Sequence, residues 1–230
     1  MSDDTPRIEV TIAAPVDAVW RALRDRDQIR DWHGWEYDEG GGLDAEIQTI
    51  FFDGVVREEA TSTLELKGGD RFTVEPVEGG TRIRITRATR GGDQDWDAYY
   101  DDITQGWTAF LQQLRFALER QPGAPRRTVF FDGTAGPASP IEELGLTAVA
   151  QLPAGRPYTA DLAGEAVSGE VWYRTDHQLG LTVDGWGGGL LIVAHTPTMA
   201  ILSTYGLPDA ALDALRDRWS AWWTPRYASA

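Results

Sequence analysis

The sequence predicts an α+β protein in which a curved antiparallel sheet closes on one long helix, followed by a smaller unit of the same plan. Three observations carry this. Arg7 to Ala13 alternates apolar and polar residues and runs into Ala14-Pro15-Val16-Asp17-Ala18-Val19-Trp20-Arg21-Ala22-Leu23. Several β-rich runs separated by glycine turns follow between residues 45 and 89. Asp101 to Arg120 then forms a long amphipathic segment. A strand, a proline-started helix, a meander and a closing helix make a helix-grip arrangement.

Each element has a local cause. Ile8, Val10 and Ile12 alternate against Arg7, Glu9 and Thr11, which is the period of a half-buried strand. Pro15 suits a helix start, where its missing N–H costs nothing. Val16, Val19, Trp20 and Leu23 share one helical face. A second short helix is expected from Asp27 to Trp32, stopped near Gly34. Strands are expected at Ala45–Phe52, with a hairpin at Asp53-Gly54, and then at Val55–Leu66, Arg71–Val77 and Thr81–Thr89. Gly91–Asp97 reads as an acidic loop. Ile103, Trp107, Phe110, Leu111, Leu114 and Leu118 line one face of the closing helix, with Asp101 and Asp102 at its start and Arg120 at its end.

Gln121-Pro122-Gly123-Ala124-Pro125 reads as a linker, so the expected domains are 1–122 and 123–230. The second begins with a strand at Arg127–Phe131 and a capping box, Ser139-Pro140-Ile141-Glu142. Strands at Glu170–Arg174, Gln178–Asp184, Leu190–His195 and Met199–Tyr205 follow. A final helix after Pro208-Asp209 shows Leu212, Leu215, Trp219 and Trp222 on its apolar face. The order of the first half thus recurs, as in a degenerate duplication.

Bulk properties exclude several functions. The net charge is −15, and residues 1–122 carry most of it. This argues against nucleic acid and anionic membranes as partners, because both demand clustered cations. No apolar run has the length of a membrane span. Lys67 is the only lysine and there is no cysteine. Schiff-base lysine chemistry is therefore disfavoured, and disulfides, thiolate nucleophiles and cysteine metal sites are excluded. The acidic start, Met1-Ser2-Asp3-Asp4-Thr5-Pro6, lacks the basic and apolar regions of a signal peptide, which points to the cytoplasm.

Residues 8–120 resemble the START-like superfamily (SRPBCC), most of all its activator-of-heat-shock-protein-ATPase type. The resemblance rests on the strand before Ala14-Pro15-x-x-x-Val19-Trp20-x-Ala22-Leu23, on Trp32 and Trp35 after Asp25-Arg26-Asp27, and on Gly106-Trp107-x-x-x-Leu111-x-x-Leu114-x-x-x-Leu118. It implies an apolar cavity between sheet and closing helix, used across the superfamily for lipids, polyketides or other hydrophobic molecules. It implies no shared catalytic residue. The second half departs from the pattern by lacking a clear second helix.

The candidate ligand-binding residues are Trp35, Tyr37, Phe51, Glu58, Phe72, Arg87, Trp107 and Phe110. The aromatic residues suit a mixed pocket wall, and the same spacing also suits plain core. Alternation places Glu58 on the apolar face of its strand. There it either pairs with Arg87 as a polar anchor, or lies in solvent because the strand ends early. No catalytic residue, cofactor or metal is assigned. Asp93-Gln94-Asp95-Trp96-Asp97 fails as a calcium loop, because Ala98 and Thr104 stand where glycine and glutamate are needed. His33, His177 and His195 have no metal-ligand spacing. The leading function is non-catalytic binding of a hydrophobic small molecule by a carrier, sensor or sequestering protein. The alternatives are a polyketide cyclase- or aromatase-like enzyme, and a cofactor acting on a chaperone ATPase.

Overall fold

The computed structural model describes residues 7–88 and 94–227, with the backbone alone for 94–99. The chain divides into two compact units, Met1–Ala124 and Pro125–Ala230. Both have the helix-grip fold.

Unit 1 starts with strand β1 (Arg7–Ile12) and helices α1 (Val16–Arg24) and α2 (Arg26–Arg30). The Asp25 carboxylate caps α2 by accepting from the amides of Asp27 and Gln28. Helix α3 (Gly42–Gln48) follows and continues as a turn of π-helix, Thr49–Asp53. Strands β2 (Val55–Glu59), β3 (Thr63–Leu66), β4 (Arg71–Val77) and β5 (Gly80–Thr86) and the closing helix α4 (Gln94–Arg120) complete the unit. The sheet order is β1-β5-β4-β3-β2, antiparallel throughout. Ile8, Val10 and Ile12 enter the core opposite Ile85, Ile83 and Thr81. From α4, Trp107, Leu111, Leu114 and Ala117 join the same core.

Several expectations need correction. Ala45–Phe52 is helical, not a strand. Leu43, Ile47 and Phe51 recur every four residues and are all buried, a helical stripe that outweighs the local alternation. Asp53-Gly54 therefore ends a helix and makes no hairpin. Val55–Leu66 is two strands joined by a tight turn in which Thr61 has φ 61°. The closing helix starts at Gln94, not Asp101, so Gln94–Asp97 of the expected acidic loop are helical. Residues 91–93 of that loop and Thr89 lie outside the described residues, as do Met1–Pro6.

Unit 2 repeats the plan with one more strand. It contains β6 (Arg126–Gly133), the short helix α5 (Pro140–Glu143) and strands β7 (Pro157–Leu162), β8 (Glu165–Arg174), β9 (Gln178–Val183), β10 (Gly189–His195) and β11 (Thr198–Tyr205). Helix α6 (Asp209–Tyr227) closes it. The order is β6-β11-β10-β9-β8-β7. In both units the first strand pairs with the last, helices occupy the first crossover, and a meander leads into a final helix. The capping box forms as expected, with the Glu142 amide donating to Ser139 Oγ and the Ser139 amide donating to Glu142 Oε2.

Strand β7 was not expected from the sequence. It pairs with β8 through a two-residue turn, Ala163-Gly164, with φ 53° and 84°. Alanine in the left-handed region conceals a turn that asparagine would advertise. The buried face of α6 runs Leu215, Trp219, Trp223, Tyr227 at steps of four, and Trp222 packs half-buried against the same core.

Gly187 sits at φ 71°, where a Cβ would lie 1.7 Å from the Tyr205 carbonyl oxygen. Gly155 has a similar φ of 80° but open space around it. Gly155→Ala should therefore cost about 1 kcal/mol from backbone strain alone. Gly187→Ala should cost several times more, because β11 must move. Urea unfolding of the two variants checks the contrast, and equal midpoints would contradict it.

Candidate functional site

The site in unit 1 is an aromatic cluster with a polar edge. The α2–α3 connection brings Trp32, His33 and Trp35 against the middle of α4. Two hydrogen bonds fix that connection: Trp32 Nε1 donates to the Ala22 carbonyl at 2.7 Å, and Gln113 Nε2 donates to the Trp32 carbonyl at 2.9 Å. The His33 ring is thereby set among Phe51, Trp107 and Phe110, with centroids 5.0, 5.8 and 4.8 Å away. Phe72 meets Trp107 edge-on at 5.2 Å, and Trp35 meets Phe110 at 6.1 Å. Such pairs contribute about 0.5–1.5 kcal/mol each beyond area burial.

The rings divide by depth. Phe51 and Phe72 are 0% exposed. A side chain with no area accessible to a water-sized sphere borders neither solvent nor a void that could hold water. These two expected pocket residues are therefore core in this structure. Trp107 is nearly buried, and Trp35 and Phe110 are half-buried. Tyr37 is 38% exposed. The accessible part of the cluster is the Trp35–Phe110 edge with Tyr37 beside it.

A carboxylate ties this edge together. His33 Nε2 donates to Glu46 Oε1 at 2.9 Å, and the Tyr37 hydroxyl donates to Glu46 Oε2 at 2.9 Å. Burial pushes the Glu46 pKa up, but the bond and charge of His33 and the bond from Tyr37 outweigh it, so the net shift is downward. The Tyr37 hydroxyl is pushed up to about 12, by burial first and then by its bond to Glu46.

A second polar group lies at the sheet–helix junction. Arg87 Nε donates to Asp70 Oδ1 at 2.9 Å. Arg87 Nη1 donates to Thr104 Oγ1 at 2.8 Å, and the guanidinium lies 4.5 Å from the Tyr100 ring centre. Asp70 Oδ2 accepts from Trp107 Nε1 at 2.9 Å.

Arg87 and Glu58 are not brought together. Glu58 sits opposite Leu64, on the helix-facing side of the sheet. However, β2 is an edge strand, and the Glu58 side chain is 38% exposed and pairs with Arg24 at 3.1 Å. The edge position, not the alternation, decides its environment. Sequence reasoning missed Glu46 and Asp70. The four-residue spacing of Leu43, Ile47 and Phe51 held the signal for Glu46, since it turns Ala45–Phe52 into a helix. Nothing local marks Asp70, which reads as a turn residue.

In unit 2 the half-buried rings of Phe131 and Trp222 pack against the core. Trp186, Trp219 and Trp223 fill the space between its sheet and α6 together with Leu181, Leu191 and Leu202, all fully or almost fully buried. Among the described residues, no three histidine, aspartate or glutamate side chains are grouped to hold a metal, and no helix is long and apolar enough to cross a membrane.

No protein-family model and no curated protein matches the chain. Solved structures similar to it include DynU16, from the dynemicin biosynthetic locus, at 19% identity over 96% of both chains with a TM-score of 0.36. The Aha1 dimer from Colwellia psychrerythraea matches at 23% identity over 51% of this chain and 99% of its own, with a TM-score of 0.37. The di-domain ARO/CYC StfQ of the steffimycin biosynthetic pathway matches at 11% identity over 94% of this chain and 91% of its own, with a TM-score of 0.35.

Glu46 makes a pH prediction. Its pKa is lower folded than unfolded, so its contribution to stability is present above the ordinary value of 4.5 and is lost as pH falls through the folded value. Glu46→Gln should therefore lower the Tm near neutral pH, and the gap from the native chain should close in acid. Ultraviolet titration should also show Tyr37 ionising earlier in the variant. A Tm gap constant from neutral to acid would contradict the assignment.

Proposed function

We propose that unit 1 binds a flat, apolar small molecule without transforming it, as a carrier or sequestering protein would. The ligand lies against Trp35 and Phe110, and a ligand hydroxyl takes the place of the Tyr37 hydroxyl on Glu46. One observation supports this above others: a charged carboxylate with two hydrogen-bond donors is built into the edge of the ring cluster formed by the half-buried Trp35 and Phe110. Aromatic faces supply affinity with little geometric demand. The carboxylate supplies discrimination, because a ligand that displaces Tyr37 without offering a donor leaves Glu46 short of a partner.

The corrections above move this reading from a deep cavity to the rim. Phe51 and Phe72 support the wall from behind, Trp107 forms its floor, and Arg87 fixes Trp107 through Asp70. Glu58 has no part.

His33 favours a second reading. Its imidazole is held by a carboxylate while its ring faces Trp107 and Phe110, and with the charge that lowers Glu46 the arrangement is able to give a proton to a bound molecule. That is the cyclase- or aromatase-like alternative, relocated from Glu58 to His33 and Glu46. Turnover that vanishes in Glu46→Gln while the fold persists would select it over passive binding.

The binding reading is tested with 2-naphthol and naphthalene, which share a ring system and differ by one hydroxyl. Both should quench tryptophan emission, and 2-naphthol should bind about tenfold more tightly. Trp35→Ala should weaken both ligands, whereas Glu46→Gln should remove the preference. If neither ligand changes emission or Tm up to its solubility limit, the proposal fails.

A further inference from the structure

Unit 2 carries a pocket outside its grip. Its volume is about 660 Å³, within the range of small-molecule sites. Residues 139–151 border it on one side, and the ends of β8 and β10 border it on the other. No residue of α6 lines it, so it is separate from the filled space between sheet and helix.

Two of the charged side chains facing it, Arg174 and Asp176, are not joined to each other. Arg174 Nη1 donates to the Ala150 carbonyl at 3.1 Å, which holds the guanidinium at the pocket wall. Among the described residues Arg174 has no carboxylate partner. In the same unit, Arg127, Arg216, Arg218 and Arg226 each pair with one, namely Asp209, Asp213, Glu165 and Glu143. Asp176, two residues further on, faces the same pocket and likewise has no partner among the described residues. The His195 imidazole lines the wall, its ring 5.3 Å from that of His177. Glu142 is different: its carboxylate is occupied by Ser139 in the capping box.

Opposite charges on one short segment, directed at one space and not joined, are complementary to a molecule with both charges. We propose that this pocket binds a small zwitterion of the short-peptide kind. Its carboxylate is held by the Arg174 guanidinium, whose planar fork suits two parallel hydrogen bonds to a carboxylate. Its ammonium is held by Asp176. The volume exceeds what a free amino acid needs, which favours a peptide of a few residues. The polar wall disfavours the flat apolar molecules proposed for unit 1, so the two readings stand or fall separately.

The test uses the full chain, labelled with nitrogen-15, and triglycine as probe. Saturable shifts are expected at the amides of Gln151, Thr175, Asp176 and His177. Arg174→Gln and Asp176→Asn alter exposed side chains, and a Tm near that of the native chain establishes that they fold. Each should weaken triglycine by about tenfold, the loss of one charge-assisted contact. N-acetyltriglycine amide, with both charges blocked, should give no saturable shift. Three results would overturn the proposal: no saturable shift with triglycine, unchanged affinity in both variants, or N-acetyltriglycine binding as tightly as triglycine. The last would mean an anion site in which Asp176 has no role.

Discussion

The ion pair between Arg87 and Asp70 is the constraint on which unit 1 depends. Apolar contacts between α4 and the sheet are non-directional, and Leu111, Leu114 and Ala117 alone would tolerate small slides of the helix. The Asp70 carboxylate does not. It accepts from Arg87 Nε and the Ala88 amide through one oxygen, and from Trp107 Nε1 through the other. These three bonds together tie Trp107 to the sheet. The Arg87 side chain is 0% exposed, so leaving it unpaired would be costly, about 3–5 kcal/mol for loss of one partner. A second tie at the far end of the helix, from the Ala13 amide to Glu119 Oε1 at 2.8 Å, fixes its angle to β1. The positions of Phe110 and the His33 ring follow from that fixed helix.

The general plan of the chain was legible because each element writes its own period. The strand before Pro15, the glycine turns at 68–69 and 79–80, the stripe from Trp107 to Leu118 and the capping box at Ser139 are local signals, and the structure keeps them all. The errors arise where a short segment satisfies two periods. Ile47, Thr49 and Phe51 alternate, yet Leu43, Ile47 and Phe51 also fall on a helical face, and burial of the latter set decided the matter. The candidate site was legible in its aromatics and illegible in its polar groups. Ring residues announce themselves by size, wherever they end up. Glu46 and Asp70 matter through partners 9 to 37 residues away, and no local pattern encodes such contacts. Glu58 shows the converse case: its face was read correctly, but its strand's place at the sheet edge is a tertiary fact.

The two units show one topology filled in two ways. In each, the first strand lies beside the last and the final helix closes the sheet. In unit 1 the crossover holds three helices, which bring a histidine, a glutamate and a tyrosine to the helix-facing side. In unit 2 the crossover is reduced to α5 and short turns, and tryptophans on α6 and before β10 occupy the interior instead. The hydrogen bond from Trp223 Nε1 to the Asp132 carbonyl at 2.8 Å pins α6 to β6, in the role that Asp70 and Trp107 have in unit 1.

This difference in filling decides where chemistry can sit. A grip whose interior is packed with large rings has no room for a guest between sheet and helix, because opening it would forfeit dispersion contacts on every side. Polar groups of unit 2 that face outward are then free of the demands of the core, and a crossover of short turns leaves space beside the strand ends. Unit 1 has the opposite balance: its long crossover carries polar side chains to the ring cluster. The length of one connection, rather than the sheet itself, thus separates the aromatic cluster at the grip of unit 1 from the polar pocket outside that of unit 2.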